Sequence, residues 1–335
     1  MDSKCSTPEG VRLEESAQKS ATMLAQARHD PCVAILLCTY NGQRFLPAQL
    51  ESFAAQTLSE WQLHVSDDGS QDGTHAILKK CQDQWGSGRL FIHAGPAKGF
   101  VANFLSLVCK AGVDAKYYAY ADQDDIWESD KIERAVQWLE SIPAEIPALY
   151  CGRTCLVDQD NKELGWSPLF SKSPSFANAL MQNIASGNTM VFNKAARTLL
   201  TLGGESLQVV AHDWWTYLLI TGCGGLVFYD KVPCLRYRQH GGNQIGMNVT
   251  WRALLKRVSL LWQGRLRKWN DCNILALRQL ESQLTPENHE TLERFSQARD
   301  EGLIRRLVQL WRIGIYRQTI LGNLGIAVAA IFRKM

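Results

Sequence analysis

Asp122, Asp124 and Asp125 stand close together in KYYAYADQDDIWESDKIERAVQWLE, the run from Lys116 to Glu140. In extended backbone Asp122 and Asp124 point to the same side, roughly 6.5 Å apart along the chain. Carboxylates so placed suit a hard divalent ion whose shell is completed by water and phosphate oxygens. An EF-hand is excluded, because the glycine and the closing glutamate are not at the required spacing. An acidic turn that only caps a helix would read the same in isolation, so the meaning of the triplet depends on what the chain sets beside it.

Tyr117, Tyr118 and Tyr120, with Ala119 and Ala121, have the character of a buried strand. Ile132, Ala135, Val136 and Leu139 follow at helical spacing, and Ser129 or Asp130 can cap that helix. The carboxylates therefore fall at the carboxyl end of a strand, where open α/β sheets bind ligands. The same design recurs upstream. Val33 to Leu37 is a continuous apolar strand ending in Thr39-Tyr40-Asn41-Gly42. A strand from Trp61 to Val65 ends in SDDGSQDGT, which carries Asp67 and Asp68, with Ser70 or Asp72 as cap to a helix through Lys80. A third strand, Arg89 to His93, leads through Gly95, Pro96, Lys98 and Gly99 to a helix from Phe100 to Val108 that holds Asn103 one turn in. Strands without polar alternation belong to a parallel sheet covered on both faces. The order β-α-β-α-β-α-β predicts an α/β fold with a doubly wound, mostly parallel sheet and helices on both faces.

The second half is less regular. Leu149 to Val157 reads as one strand, Asp158 to Lys162 as a hairpin turn, and Ser186 to Leu200 as a loop, a strand and a helix. His212-Asp213 opens an apolar helix. Strand signals flank Asp230-Lys231 and end in Arg238-Gln239-His240-Gly241-Gly242-Asn243.

With 335 residues, 46% hydrophobic and 21% charged, the chain can bury a sizeable core and is not of the disordered class. It lacks the Gly-rich turn of a dinucleotide binder and any GxxxxGK[ST], which argues against NAD and P-loop chemistry. Of ten cysteines, none forms a CxxC with a second pair at zinc spacing. Cys32, Cys38, Cys109 and Cys223 lie in apolar surroundings, as small buried hydrophobes do. With no apolar leader in residues 1–30, the expectation is a reducing, cytoplasmic compartment. Strand ends one, two and four offer Thr39/Asn41, Asp67/Asp68 and Asp122/Asp124. One arrangement uses them all: a nucleoside on the first two, and a diphosphate with its metal on the third.

TYNG, SDDGSQDGT, ADQDD, the later HDWW and the terminal RQHGGN together resemble the inverting glycosyltransferases of family 2, which have the GT-A fold. DQDDIW with HDWW and YRQHGGNQIG is similar, more narrowly, to rhamnosyltransferases of bacterial polysaccharide assembly, O-antigen included. The resemblance covers about residues 33–246 and sets the expected division: a polar leader (1–30), a GT-A domain (31–248) and a basic helical tail (249–335). It implies that Asp67 and Asp68 bind the base and ribose. Asp122 and Asp124 would flank the ribose and an Mg²⁺ or Mn²⁺ on the diphosphate, Asp124 being the metal ligand. It implies further that Asp213 is the general base, and that His240, with Arg238, reaches the metal or diphosphate. Lys98, Gly99 and Asn103 would line the nucleotide edge, and Ser186, Gly187 and Asn188 an acceptor or diphosphate pocket. The implied donor is dTDP-L-rhamnose and the implied acceptor a lipid-linked saccharide. A UDP-hexose donor, or a carbohydrate- or nucleotide-binding scaffold without turnover, are the rival readings. A nucleotidyltransferase would need a Gly-rich, Lys/Arg-bearing first loop that is missing.

The charge is uneven. From Trp251 onward 15 Lys/Arg face 7 Asp/Glu, whereas the first 250 residues carry 21 against 26. Trp251, Leu254, Leu255, Val258, Leu261 and Trp262 mark one helix face, and Leu303, Ile304, Leu307, Val308 and Trp311 another, each edged by arginines. Helices of this kind lie in an anionic membrane interface, so a peripheral place at the inner face of the plasma membrane is expected, with packing onto the catalytic domain or a dimer surface as the alternative. The apolar run from Ile320 to Phe332 is too short to span a bilayer. No nucleic-acid partner is expected.

Overall fold

A computed structural model describes residues 32–240 and 264–335. The polar leader, the helix expected around Trp251–Trp262 and Gly241, Gly242 and Asn243 lie outside the described residues.

The main sheet has seven strands in the order β10-β6-β9-β4-β1-β2-β3. Its strands β1 (Val33–Thr39), β2 (Trp61–Asp67), β3 (Leu90–Ala94) and β4 (Tyr117–Ala121) run parallel, with β1 at the centre of the four. Beyond β4, strand β9 (Val191–Asn193) lies antiparallel to both its neighbours, β4 and β6 (Ala148–Gly152), and β10 (Leu226–Asp230) pairs parallel with β6. Alternation along β1 explains its unbroken apolar sequence. Ala34, Leu36 and Cys38 enter the core on one face, and Val33, Ile35 and Leu37 the core on the other. A strand covered on both faces has no side left for polar residues.

The helices α1 (Leu46–Ala54), α2 (Thr74–Trp85), α3 (Phe100–Cys109) and α4 (Lys131–Leu139) connect the parallel strands. One expected cap is replaced by a tertiary partner, and at the other helix the second of the two expected residues takes the role. At α4 neither Ser129 nor Asp130 caps by its side chain; Gln56 Oε1 takes the Ile132 amide at 3.1 Å, and Asp130 pairs with Arg134. Ser70 turns back to Asp67, so Asp72 receives the Thr74 amide, and α2 runs past Lys80 to Trp85.

The strand expected over Leu149–Val157 is broken. β6 stays in the main sheet, whereas β7 (Cys155–Val157) joins a second sheet of order β5-β11-β7-β8 with β5 (Ile126–Trp127), β8 (Glu163–Trp166) and β11 (Leu235–Arg238). The turn at Asp158–Lys162 joins β7 to β8 as expected, with Asn161 at φ 64°. β5 pairs antiparallel with β11, so the chain just after the acidic triplet is hydrogen-bonded to the strand that leads into His240.

After α5 (Phe176–Ala179), α6 (Lys194–Leu202) and α7 (His212–Gly222) come, among the described residues, four C-terminal helices: α8 (Arg265–Gln279), α9 (Pro286–Asp300), α10 (Leu303–Ile313) and α11 (Ile320–Ile331). Ile274, Phe295, Leu310 and Ala330 share one core with Trp214 and Trp215 of α7. The tail thus packs onto the α/β part. Among the described residues, no helix is long and apolar enough to cross a membrane.

Candidate active site

The loops that follow β1, β2, β3 and β4 are knitted into one surface. Thr39 Oγ1 donates to Asp67 Oδ2 at 2.8 Å, and the same carboxylate accepts the hydroxyl and amide of Ser70 and the amide of Gly69. Burial alone would raise the pKa of Asp67, but the Ser70 and Thr39 hydrogen bonds outweigh it and hold the group below the usual carboxylate range. Asn41, at φ 49°, accepts the Gln71 amide on Oδ1, and its own amide donates to Ser70 Oγ. Asp68 gathers the amides of Ala97 and Gly99, each at 2.7 Å, and so fixes the third loop against the second. Gly99 needs its freedom there, at φ 88°. Asn103 is buried, its Nδ2 on Ser66 O, and Lys98 is exposed at the rim. Gln123 clasps both backbone polar groups of Tyr40, which ties the acidic loop to the first one.

The acidic loop is held from below and from both sides. Asp125 is buried, its Oδ2 accepts the Asn188 side-chain amide, and its Oδ1 accepts the Arg238 amide at 3.3 Å. Asp124 Oδ2 lies 2.6 Å from His240 Nε2. Phe45 packs on the His240 ring, with ring centroids 4.9 Å apart. Arg238 corrects an expectation. Its guanidinium is buried and donates to the carbonyls of Asp124, Asp158 and Gln159, so it braces the acidic loop instead of offering itself to a diphosphate.

Asp213 reaches the same place from the other side. Ala211 is the N-cap of α7, so Asp213 is not spent as a cap. Its Oδ2 accepts the Gly187 amide at 3.1 Å and its Oδ1 the Trp214 amide at 2.7 Å. Gly187 and Asn188 belong to one short 3₁₀ turn, Gly187–Thr189, which therefore touches Asp213 with one residue and Asp125 with the next. Ser186 caps this turn and is half-buried. No side chain fits at Gly187, because a Cβ there would stand 2.5 Å from His212 Nε2 and 3.2 Å from Asp213 Cβ. Tyr120 of β4 adds a second tie, its hydroxyl 3.2 Å from Thr216 Oγ1 on α7.

The carboxylates act on one another electrostatically. Burial, then the charges of Asp124 and Asp213, push Asp122 up to about 8. Asp213 is pushed up to about 6 by burial, against the opposing pull of its amide donors. Asp125 is driven well above the carboxylate range by burial and by Asp124 and Asp122. Mutual repulsion among carboxylates is what a bound cation would relieve. Among the described residues no three His, Cys, Asp or Glu are preassembled as a metal cluster. Asp124 and His240 nonetheless fit a divalent ion that draws its other ligands from phosphate and water; the carboxylate suits Mg²⁺ or Mn²⁺, and the imidazole suits the transition ion Mn²⁺ better than Mg²⁺.

Two participants carried no readable signal. Lys131 is fully buried; its Nζ has no hydrogen-bond partner among the described residues and sits 3.1 Å from the Trp127 ring centroid. Burial pulls it down to about 7, while Cys234, Asp125 and Asp122 oppose that shift. His212 is buried between Phe104, stacked at 3.9 Å, and Tyr120, edge-on at 4.9 Å; burial lowers it to about 3 and keeps it neutral. It backs the Gly187 turn as a wall.

Residues 34–199 match the family model Glycosyl transferase family 2. The chain is 27% identical over 243 residues to the dTDP-rhamnosyl transferase RfbG of Shigella flexneri, covering 69% of this chain and 81% of that one. It is 29% identical over 229 residues to the putative teichuronic acid biosynthesis glycosyltransferase TuaG of Bacillus subtilis, covering 68% and 85%. The crystal structure of S. aureus TarS 1-349 in complex with UDP superposes with a TM-score of 0.53 at 13% identity, over 90% of this chain and 88% of that one. That likeness concerns the fold, which is GT-A. A mostly parallel sheet with its acidic loops gathered at one end, and a family match running from β1 into α6, lead to the same conclusion: the chain is a glycosyltransferase of family 2.

Proposed function

We propose that the protein transfers L-rhamnose from dTDP-L-rhamnose, with inversion, to a hydroxyl of a lipid-linked saccharide acceptor in cell-surface polysaccharide assembly. The observation that carries this reading is that one turn, Gly187–Asn188, bonds Asp213 with its first residue and Asp125 of the acidic loop with its second, while Asp124 and Asp213 both act on Asp122. Inversion is a single displacement, and it needs a base on the face opposite the leaving group. Asp213 supplies it: a carboxylate near pKa 6 is ionised at neutral pH yet basic enough to take the acceptor proton. Asp122 would face the nucleotide, and Asp124 with His240 would hold Mg²⁺ or Mn²⁺. The bound ion would neutralise charge on the departing nucleoside diphosphate.

Asp67 and Asp68, with Thr39 and Asn41, act at the nucleoside end chiefly by fixing the loops, since their side chains already hold one another and nearby amides. Lys98, Gly99 and Asn103 complete that edge. Ser186, Gly187 and Asn188 stand on the acceptor side beside the base. The choice of donor is supported by the relative named as a dTDP-rhamnosyl transferase.

A donor panel with Mn²⁺ tests the proposal. Turnover of dTDP-L-rhamnose should exceed that of UDP-hexoses, and Asp213→Asn should still bind donor while transferring about 10² more slowly. Faster use of a UDP-hexose would overturn the donor, and unchanged transfer by Asp213→Asn would overturn the mechanism.

A further inference from the structure

Twenty-one large hydrophobic residues are exposed among the described residues, and eleven of them lie between Leu303 and Phe332. Single exposed hydrophobes are normal, but such a concentration marks a surface with a partner. On α10, Ile304, Val308 and Trp311 recur at i, i+4 and i+7, with Trp311 81% exposed. On α11, Leu321, Leu324 and Val328 do the same at i, i+3 and i+7, with Leu321 74% exposed. The opposite sides of these helices are the packed ones: Arg306 and Leu310 on α10, Ile326, Ala329 and Ala330 on α11. Each helix thus turns one apolar face inward and another outward.

The outward faces are held as a unit. The buried guanidinium of Arg306 donates to Ala330 O on α11 and to Glu301 O ahead of α10. The connection between the two helices is stapled to the α/β part, with Gln318 bonded to Gln182 and Lys172, and Tyr316 O accepting from Asn178. This segment, 172–182, leads directly into the Ser186–Asn188 turn beside Asp213.

Charge selects the occupant. From Leu303 to Met335 the sequence holds six Lys/Arg and no Asp or Glu. Arg305 and Arg312 are exposed at the rim of the α10 face. Glu301, 3.9 Å from Arg305, is an acidic group beside this rim, and an apolar face with a predominantly basic rim matches acyl chains below anionic headgroups. α11 has 12 residues and a length of about 18 Å, short of the roughly 30 Å hydrocarbon core, so it can lie in the interface but not cross it. We propose that α10 and α11 form a monotopic docking face for an anionic lipid surface, which sets the Asp213 side of the enzyme against the membrane at its cytoplasmic face. The lipid-linked acceptor proposed above would then be met at that surface, and only this last step rests on the transfer reading.

Co-sedimentation of the full chain with vesicles tests the docking without catalysis. Binding to phosphatidylcholine vesicles containing phosphatidylglycerol should exceed binding to phosphatidylcholine alone by about fivefold or more, and should fall as salt is raised. Ile304→Glu/Trp311→Glu/Leu324→Glu should lower the bound fraction about tenfold or more. Arg305→Glu/Arg312→Glu should weaken binding to the anionic vesicles alone. All of these side chains are exposed, so both variants should keep the wild-type thermal midpoint and donor hydrolysis in vesicle-free buffer. Wild-type protein that stays in the supernatant, or a triple variant that sediments like wild type, would overturn the proposal. So would a concentration-dependent dimer that the triple variant disperses without any vesicle binding, because the face would then belong to a second copy. Lack of donor turnover by a vesicle-bound protein would instead count against the transfer reading alone.

Discussion

His240 Nε2 lies 2.6 Å from Asp124 Oδ2, across 116 positions of sequence. The pair is set by the small sheet: β5 begins directly after Asp125, and its antiparallel partner β11 ends two residues before His240. A cation that takes both groups must come between them in place of this contact. If these two residues hold the ion, His240→Ala should raise the half-saturating Mn²⁺ concentration for donor turnover about 10- to 100-fold, while Asp124→Ala should abolish the response to metal. A chelator should silence the wild-type enzyme reversibly. Metal titration of donor hydrolysis measures all three, and an unchanged Mn²⁺ requirement in His240→Ala would remove that residue from the metal site.

Acid should inactivate transfer through Asp213. Burial sets its pKa near 6, and a base must be ionised to accept a proton, so kcat is expected level above about pH 7. Below pH 6 kcat should fall about tenfold per pH unit, following the ionised fraction. A pH profile at saturating donor and metal reads this limb. The residual rate of Asp213→Asn should lack it.

Gly187→Ala probes the turn that holds the base. The added methyl meets His212 Nε2, and the histidine cannot yield between Phe104 and Tyr120. Displacement passes to Asp213, whose Oδ2 bonds the Gly187 amide. A loss of about 10²-fold in kcat is expected with donor KM nearly unchanged, together with about 1–3 kcal/mol of lost stability from overpacking. Steady-state kinetics and denaturant unfolding separate the two effects. Wild-type kcat in this variant would show that the turn does not position the base.

Asn188→Ala tests the neighbouring contact. It leaves buried Asp125 without the amide that favours its ionised form. Leaving one partner of a buried hydrogen bond unsatisfied costs about 1–3 kcal/mol, so the thermal midpoint should drop. Asn188→Ser, which keeps a donor, should recover part of that loss. Equal destabilisation by both would argue against the contact.

The main sheet was legible because its strands are buried on both faces, so each is an apolar run that ends in a polar loop. Asp122, Asp124 and Asp213 could be placed at element ends for the same reason. The small sheet was not legible. Two residues, Ile126 and Trp127, display no period, and their partner lies more than a hundred residues away. The break between β6 and β7 was hidden because both strands are apolar and only their sheets differ. Arg238 misled because a guanidinium among glycines suggests phosphate, whereas here three backbone carbonyls take it. Lys131 stands where a helix would place a solvated residue, and nothing local tells that the acidic loop lies over it.

The central claim is that a nucleoside diphosphate and a divalent ion occupy the cleft between Asp124 and Asp213. Crystals of the protein with thymidine diphosphate and Mn²⁺, measured at a wavelength where manganese scatters anomalously, test this most directly. The expected result is a single anomalous peak within ligand distance of Asp124 and His240, with the terminal phosphate between it and Asp213. A peak elsewhere, or a diphosphate bound away from Asp213, would contradict the account.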